Sequence, residues 1–212
     1  MNNARQRIRG LYGVTPDEAD TQALLGRVRA ALEGGMRLLQ YRNKIAAAAQ
    51  RREQAAALCK LCHDYGAALI INDHVGLALE VDADGVHLGS EDGSLAAARA
   101  KIGPHKLLGS SCYRNLENGA SAIAAGADHI AFGSFFQSSV KPSVVRSPFS
   151  LLTDARRQFD VPIVAIGGIT PDNAPQLITA GAHSVAVITA LFGTADVSAA
   201  ARRFKALFNV TQ

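Results

Sequence analysis

Short runs of consecutive apolar residues recur along the chain, and the segments between them carry apolar residues at helical spacing. The runs predict eight strands, at 10–14, 36–40, 68–71, 85–88, 106–110, 129–132, 162–166 and 184–188. Runs such as Ile163-Val164-Ala165-Ile166 are apolar throughout, as strands covered on both faces are. The intervening patterns predict helices at 21–33, 46–65, 75–80, 94–101, 115–125, 150–159, 172–180 and 197–208. Many of these end at a glycine: Gly34-Gly35, Gly66, Gly103, Gly126, Gly181.

An internal echo reinforces the alternation. Ala83-Asp84-Gly85-Val86-His87-Leu88-Gly89-Ser90 resembles Ala127-Asp128-His129-Ile130-Ala131-Phe132-Gly133-Ser134, with a weaker copy from Ala182 to Thr189. The copies lie about 45 to 55 residues apart, every second strand–helix unit. No linker-like stretch divides the chain. The expected fold is α/β, a single compact (β/α)8 TIM barrel over residues 1–212, with its active site at the C-terminal ends of the strands. A doubly wound open sheet shares the alternation, but eight repeats fit it less naturally.

Composition narrows the function. The 212 residues are 48% hydrophobic and 19% charged, which excludes wholesale disorder. No apolar run approaches the roughly 18 residues needed to cross a bilayer, and the first residues lead into no signal-type stretch. The expectation is a cytoplasmic protein without a membrane partner. The net charge of +4 comes from scattered cations, among them Arg27, Arg29, Arg37, Arg51, Arg52, Arg202 and Arg203, and aromatics make up only 6%. A nucleic-acid binder would gather such charge into a stripe with stacking rings, so no nucleic-acid partner is expected. Anionic small molecules account for the surplus equally well. Cys59-Lys60-Leu61-Cys62-His63 spells a haem-attachment pattern, but both thiols fall on the apolar stripe of a helical segment with Ala55, Leu58 and Tyr65. They read as core packing.

In a barrel, chemistry belongs just after each strand. Asp73 and Asp92 follow strands three and four, with Asn72 beside the first. Such a pair suits Mg²⁺, which takes one or two carboxylates and completes its shell with water and phosphate oxygens. Helix capping is the competing account, above all for Asp92 in Asp92-Gly93-Ser94. His74 either orients Asp73 or is solvated. Gln40, Arg42 and Lys44 share a parity, so all three point one way if strand two continues through them. With Lys141 after strand six, Arg42 and Lys44 suit a polyphosphate; the alternative for each is a solvated surface cation. Ser138 and Ser139 can add donors. Gly167-Gly168 after strand seven and Thr189 after strand eight lie where barrels bind a phosphate through backbone N–H groups.

Taken in order, these strand-end residues resemble the thiamine phosphate synthase family over residues 10–193. The resemblance rests on Gln40-Tyr41-Arg42-Asn43-Lys44, Ile71-Asn72-Asp73, Ala83 to Gly89 with Glu91-Asp92, Gly109-Ser110-Ser111, Lys141, Ile166-Gly167-Gly168-Ile169-Thr170 and Ala180-Gly181-Ala182. It implies a transferase of thiamine biosynthesis. An aminopyrimidine methyl diphosphate would lose pyrophosphate, and the ring nitrogen of a thiazole phosphate, or of its carboxylated form, would attack the freed methylene carbon. The pyrimidine diphosphate would lie on Gln40, Tyr41, Arg42, Asn43, Lys44, Asn72, Ser111 and Lys141, with Arg42, Lys44, Ser111 and Lys141 acting in catalysis. The thiazole phosphate would lie on Ser138, Ser139, Val140, Gly168, Ile188 and Thr189, and Asp73 and Asp92 would hold Mg²⁺.

Two positions depart from the family pattern. Val140 stands where the family often has a threonine, so a contact there is through the backbone or absent, and His74 replaces a frequent second aspartate. The rivals are a thiazole tautomerase, which has no need of the diphosphate residues, and a non-catalytic phosphate-binding barrel, which has no need of a complete Mg²⁺ site. The segment 134–148 has the length of a closing lid.

Overall fold

The computed structural model describes residues 7–137 and 145–209. Eight parallel strands pair in chain order and close on themselves, β8 returning to β1. They are β1 (Gly10–Val14), β2 (Leu38–Tyr41), β3 (Ala68–Asn72), β4 (Gly85–Leu88), β5 (Leu107–Tyr113), β6 (His129–Gly133), β7 (Ile163–Ile166) and β8 (Ser184–Val187). The helices are α1 (Thr21–Glu33), α2 (Ala48–Asp64), α3 (Val75–Glu80), α4 (Leu95–Ile102), α5 (Leu116–Ala124), α6 (Ser150–Gln158), α7 (Ala174–Thr179), α8 (Thr189–Phe192) and α9 (Val197–Asn209). This is the expected TIM barrel.

Because successive strand residues face opposite sides, each apolar run feeds two cores. One face packs under the helices, where Leu39, Leu69, Val86, Leu108, Ile130 and Val185 meet Leu24, Val28, Leu58, Leu152 and Phe204. The other fills the barrel with Tyr12, Leu38, Ala68, Ile70, Leu107, Ala131, Val164 and Ala186. Cys59 and Cys62 are free and buried in the outer cluster, as packing thiols should be. Burial pushes both thiols up, away from reactivity.

The sequence echo has a structural cause. Asp84 N donates to Leu69 O (2.9 Å) while Leu69 N donates to Asp84 Oδ2 (2.8 Å). Asp128 makes the same two-way bond with Leu108, at 2.7 and 2.9 Å. His183 makes it with Ile163, at 2.9 and 3.0 Å, its Nδ1 replacing the carboxylate oxygen. The residue before each of β4, β6 and β8 thus fastens the start of β3, β5 and β7.

The differences from the expected boundaries have local causes. Asn43 Oδ1 accepts from Ile45 N and Ala46 N, a turn that delays α2 to Ala48. Asn173 Oδ1 likewise accepts from Thr170 N, and α7 starts at Ala174 with proline in its first turn. Strand β5 runs on to Tyr113 through an irregularity between Ser111 and Tyr113. The four-residue α8 is too short to show a periodic pattern.

Candidate active site

The predicted metal ligands meet at the C-terminal mouth. Lys44, Asn72, Asp73 and Asp92 line one cavity of about 320 Å³, together with Tyr41, Asn43, Arg51, Ile71 and His74. Asn72 ends β3, and the chain then turns through Asp73 at φ 64°, whose N–H donates to His87 O (2.9 Å). That left-handed turn is uncommon for an aspartate and sets the carboxylate at the end of the strand, against Lys44 Nζ. Neither aspartate caps a helix. Ser94 caps α4 through Ala97 N, and α3 has no side-chain cap. Asp92 Oδ2 instead accepts from Gly89 N (2.8 Å), which folds its loop back over β4.

The loop after β2 is held by groups that periodicity does not single out. Thr15 Oγ1 accepts from Arg42 N (2.9 Å) and donates to Arg42 O (2.7 Å). Asp17 Oδ1 accepts from Lys44 N (2.7 Å) and from Arg42 Nη1 (3.2 Å). Buried Gln54 accepts from Tyr41 Oη (2.8 Å) and Asn43 Nδ2 (3.0 Å), and Asn43 Nδ2 also donates to Glu18 O. With its Oδ1 on two backbone N–H groups, Asn43 has its polar capacity spent within the loop. Burial raises the Tyr41 hydroxyl to about 12, so it remains a donor.

The expected common orientation of Gln40, Arg42 and Lys44 does not hold, because β2 stops at Tyr41. Gln40 points into the barrel and donates to Tyr12 Oη (3.1 Å). Arg42 lines a second cavity of about 200 Å³ with Ile188, Thr189, Asp17, Arg27 and Phe192. Lys44 alone of the three reaches the first cavity. The second cavity therefore brings Arg42 to Ile188 and Thr189, the two predicted phosphate contacts at the start of α8.

Below the mouth a polar row crosses the barrel. Asn72, His87, Gly109 and His129 are register neighbours on β3, β4, β5 and β6. His87 Nε2 is hydrogen-bonded to Ser111 Oγ (2.9 Å), and the two imidazole rings lie 5.7 Å apart, centroid to centroid. Tyr12 meets His129 edge-on at 6.1 Å. Burial holds both histidines neutral, His87 at about 4 and His129 well below its ordinary value. His87 Nδ1 and both nitrogens of His129 are buried without a partner.

Gly168 takes φ 64°, and the backbone at Phe136 and Gln137 packs where a side chain would project. The loop after β6 thus lies on the turn after β7. Ser138, Ser139, Val140 and Lys141, with the middle of the expected lid, lie outside the described residues. His74, expected either to orient Asp73 or to be solvated, lines the cavity, and Arg51 is a cavity residue that the sequence alone did not assign. Arg51 occupies one position among several cations in a helical pattern, and nothing in that pattern marks it.

A family model described as thiamine monophosphate synthase matches residues 11–191. The thiamine-phosphate synthase of Methylobacillus flagellatus is 53% identical over 202 residues, covering 95% of this chain and 96% of that protein. That of an Azoarcus species is 53% identical over 203 residues, covering 96% of this chain and 98% of that protein. Among solved structures, a thiamine phosphate pyrophosphorylase from Pyrococcus furiosus superposes with a TM-score of 0.86 at 34% identity, covering 98% of both chains.

Proposed function

This chain belongs to the thiamine monophosphate synthase family and is a thiamine-phosphate synthase, a transferase acting on phosphorylated substrates; we propose the following division of work at its barrel mouth. The first cavity takes the diphosphate of the aminopyrimidine substrate, with Lys44, Asn72 and Lys141 on its oxygens and Ser111, oriented by His87, beside the ring. Gln40 lies near the ring subsite through Tyr12. Tyr41 and Asn43 hold the loop that carries Lys44. The second site takes the thiazole phosphate on Gly168, Ile188 and Thr189, with Ser138, Ser139 and Val140 as its further contacts. Arg42, on the wall it shares with Thr189, stands between the two anions.

The residues at the first cavity fit Mg²⁺: two carboxylates and a carboxamide offer only hard oxygen donors. Among the described residues no three His, Cys, Asp or Glu side chains form a closed metal cage, which suits an ion that keeps waters and takes phosphate oxygens. Asp73 and Asp92 would hold it. When bound, Mg²⁺ supplies positive charge against the diphosphate oxygens.

In the reaction the bond from the methylene carbon to the diphosphate oxygen breaks, and its electron pair leaves with pyrophosphate. The thiazole nitrogen lone pair then forms the new carbon–nitrogen bond. No proton need be removed from that nitrogen, so the neutral, buried His87 and His129 below the mouth need not act as bases. Lys44 and Lys141 neutralise the leaving group, and the second site holds the nucleophile in reach. No helix among the described residues is long and apolar enough to cross a membrane. We place the reaction in the cytoplasm.

One observation carries this reading: Lys44, Asn72, Asp73 and Asp92 converge on a single cavity, and a tautomerase needs no such set. Purified protein given both substrates and Mg²⁺ should release pyrophosphate and thiamine phosphate in equal amounts, and EDTA should stop both. Isomerisation of a thiazole carboxylate phosphate without coupled product would overturn the assignment.

A further inference from the structure

The cations at the two cavities are unevenly compensated. Lys44 rests on Asp73, and Arg42 Nη1 on Asp17 at 3.2 Å. Arg51, in the first turn of α2, lines the same cavity as Lys44, and among the described residues no carboxylate pairs with it. Its Nη2 donates to Ala46 O (2.8 Å), which fixes the guanidinium, while its Nε is buried and has no acceptor. A buried N–H on a permanent cation is costly unless something accepts from it. The α2 start adds to the imbalance, since Ala47 offers no side-chain acceptor to the first N–H groups of the helix.

Building on the synthase reading, we propose that Arg51 is a further binding residue for the diphosphate, donating from its unspent Nη hydrogens to the oxygens that leave as pyrophosphate. Arginine suits the task because its fork grips two phosphate oxygens at once, and its position is already set by Ala46. Negative charge on those oxygens grows as the carbon–oxygen bond breaks, so the contact strengthens toward the transition state. Lys44 is offset by Asp73 in the same cavity, whereas Arg51 is a cation with which no carboxylate among the described residues pairs.

The test is calorimetric titration of the whole protein with inorganic pyrophosphate and Mg²⁺, beside steady-state kinetics. Arg51→Met should weaken pyrophosphate binding at least tenfold and raise KM for the pyrimidine diphosphate, while KM for the thiazole phosphate stays within twofold. Arg51→Lys, which keeps the charge but loses the fork, should fall between. Pyrophosphate affinity within twofold of wild type in Arg51→Met would overturn the proposal and leave Arg51 as a staple for the loop at Ala46. If Arg51→Met does not fold, Arg51→Lys decides: a threefold or greater loss supports the contact, and an unchanged affinity overturns it. A wild-type protein that binds pyrophosphate but makes no coupled product would sink the synthase reading while leaving the Arg51 contact standing.

Discussion

Lys44 Nζ lies against the Asp73 carboxylate, so the cation assigned to the diphosphate sits on one of the two oxygens sets assigned to the metal. The pair joins the loop after β2 to the end of β3 across the cavity. If Asp73 holds the metal as proposed, Lys44 competes with it until substrate phosphate gives Lys44 another partner.

Lys44→Met should separate those two roles. Removing a cation from a partly exposed carboxylate relieves about 1 kcal/mol of competition, so Mn²⁺ or Mg²⁺ should bind the substrate-free protein roughly fivefold more tightly. Turnover should fall over the same substitution, because the diphosphate loses its lysine. Metal titration by calorimetry, or by the Mn²⁺ resonance signal, reads the first effect. Weaker metal binding in the variant would rule out the competition.

Asp92 carries two duties that substitution can divide. Its Oδ2 accepts from Gly89 N, and it lines the same cavity as Asp73. Asn keeps an acceptor for Gly89 but offers the metal no charge. Asp92→Asn should hold its melting temperature within about 2 °C and lose roughly 100-fold or more in turnover. Asp92→Ala should lose turnover similarly and about 1 kcal/mol of stability besides, from the unpaired N–H. Equal activity in wild type and Asp92→Asn would remove Asp92 from the metal site.

Gly109 separates His87 from His129 in the row below the mouth. A Cβ built there would collide with His129 Nε2 and would stand 2.5 Å from His87 Nδ1. Both rings are fixed between strands, so neither can yield cheaply. Gly109→Ala should cost about 1–3 kcal/mol in urea unfolding and, by moving His87, release Ser111. The expected signature is a loss in turnover beyond what the loss of folded protein explains. A variant with wild-type stability and kinetics would mean the row is not rigid.

The barrel was legible because the strands are short, largely apolar runs, and the paired carboxylates were legible because Asp73 and Asp92 each follow such a run. The orientation of Arg42 was not. Parity holds only while a strand continues, and β2 ends one residue before Arg42, where the Thr15 hydroxyl takes both its N–H and its C=O. Arg51 was hidden for a different reason: helical spacing separates buried from exposed faces, but it does not say which first-turn side chain reaches around to the cavity. The echo at Asp84, Asp128 and His183 was visible as a repeat, while its meaning, a side chain fastening the neighbouring strand, depends on contacts 15 to 20 residues away.

That repeat makes a prediction about acid stability. Where Asp84 and Asp128 present carboxylate oxygens, His183 presents Nδ1 to Ile163 N, which requires a neutral ring with the proton on Nε2. Burial, and after it the charges of Arg156 and Arg9, lowers His183 to about 4. In the unfolded chain the ring titrates near its ordinary value of about 6.5. Between those values the unfolded state binds a proton that the folded state refuses, so this group's contribution to stability is full above about pH 6.5 and is lost as the pH falls toward 4. The loss should come to about 1–2 kcal/mol, reduced from the full shift because the ring is only partly buried. His183→Asp keeps an acceptor for Ile163 N, places a carboxylate beside the same two arginines, and removes the histidine titration. The variant's urea midpoint should therefore fall less steeply than that of wild type from pH 6.5 to 4.5, whereas His87 and His129 contribute equally to both curves. Parallel pH profiles would show that the bond from Ile163 to His183 does not govern this part of the acid response.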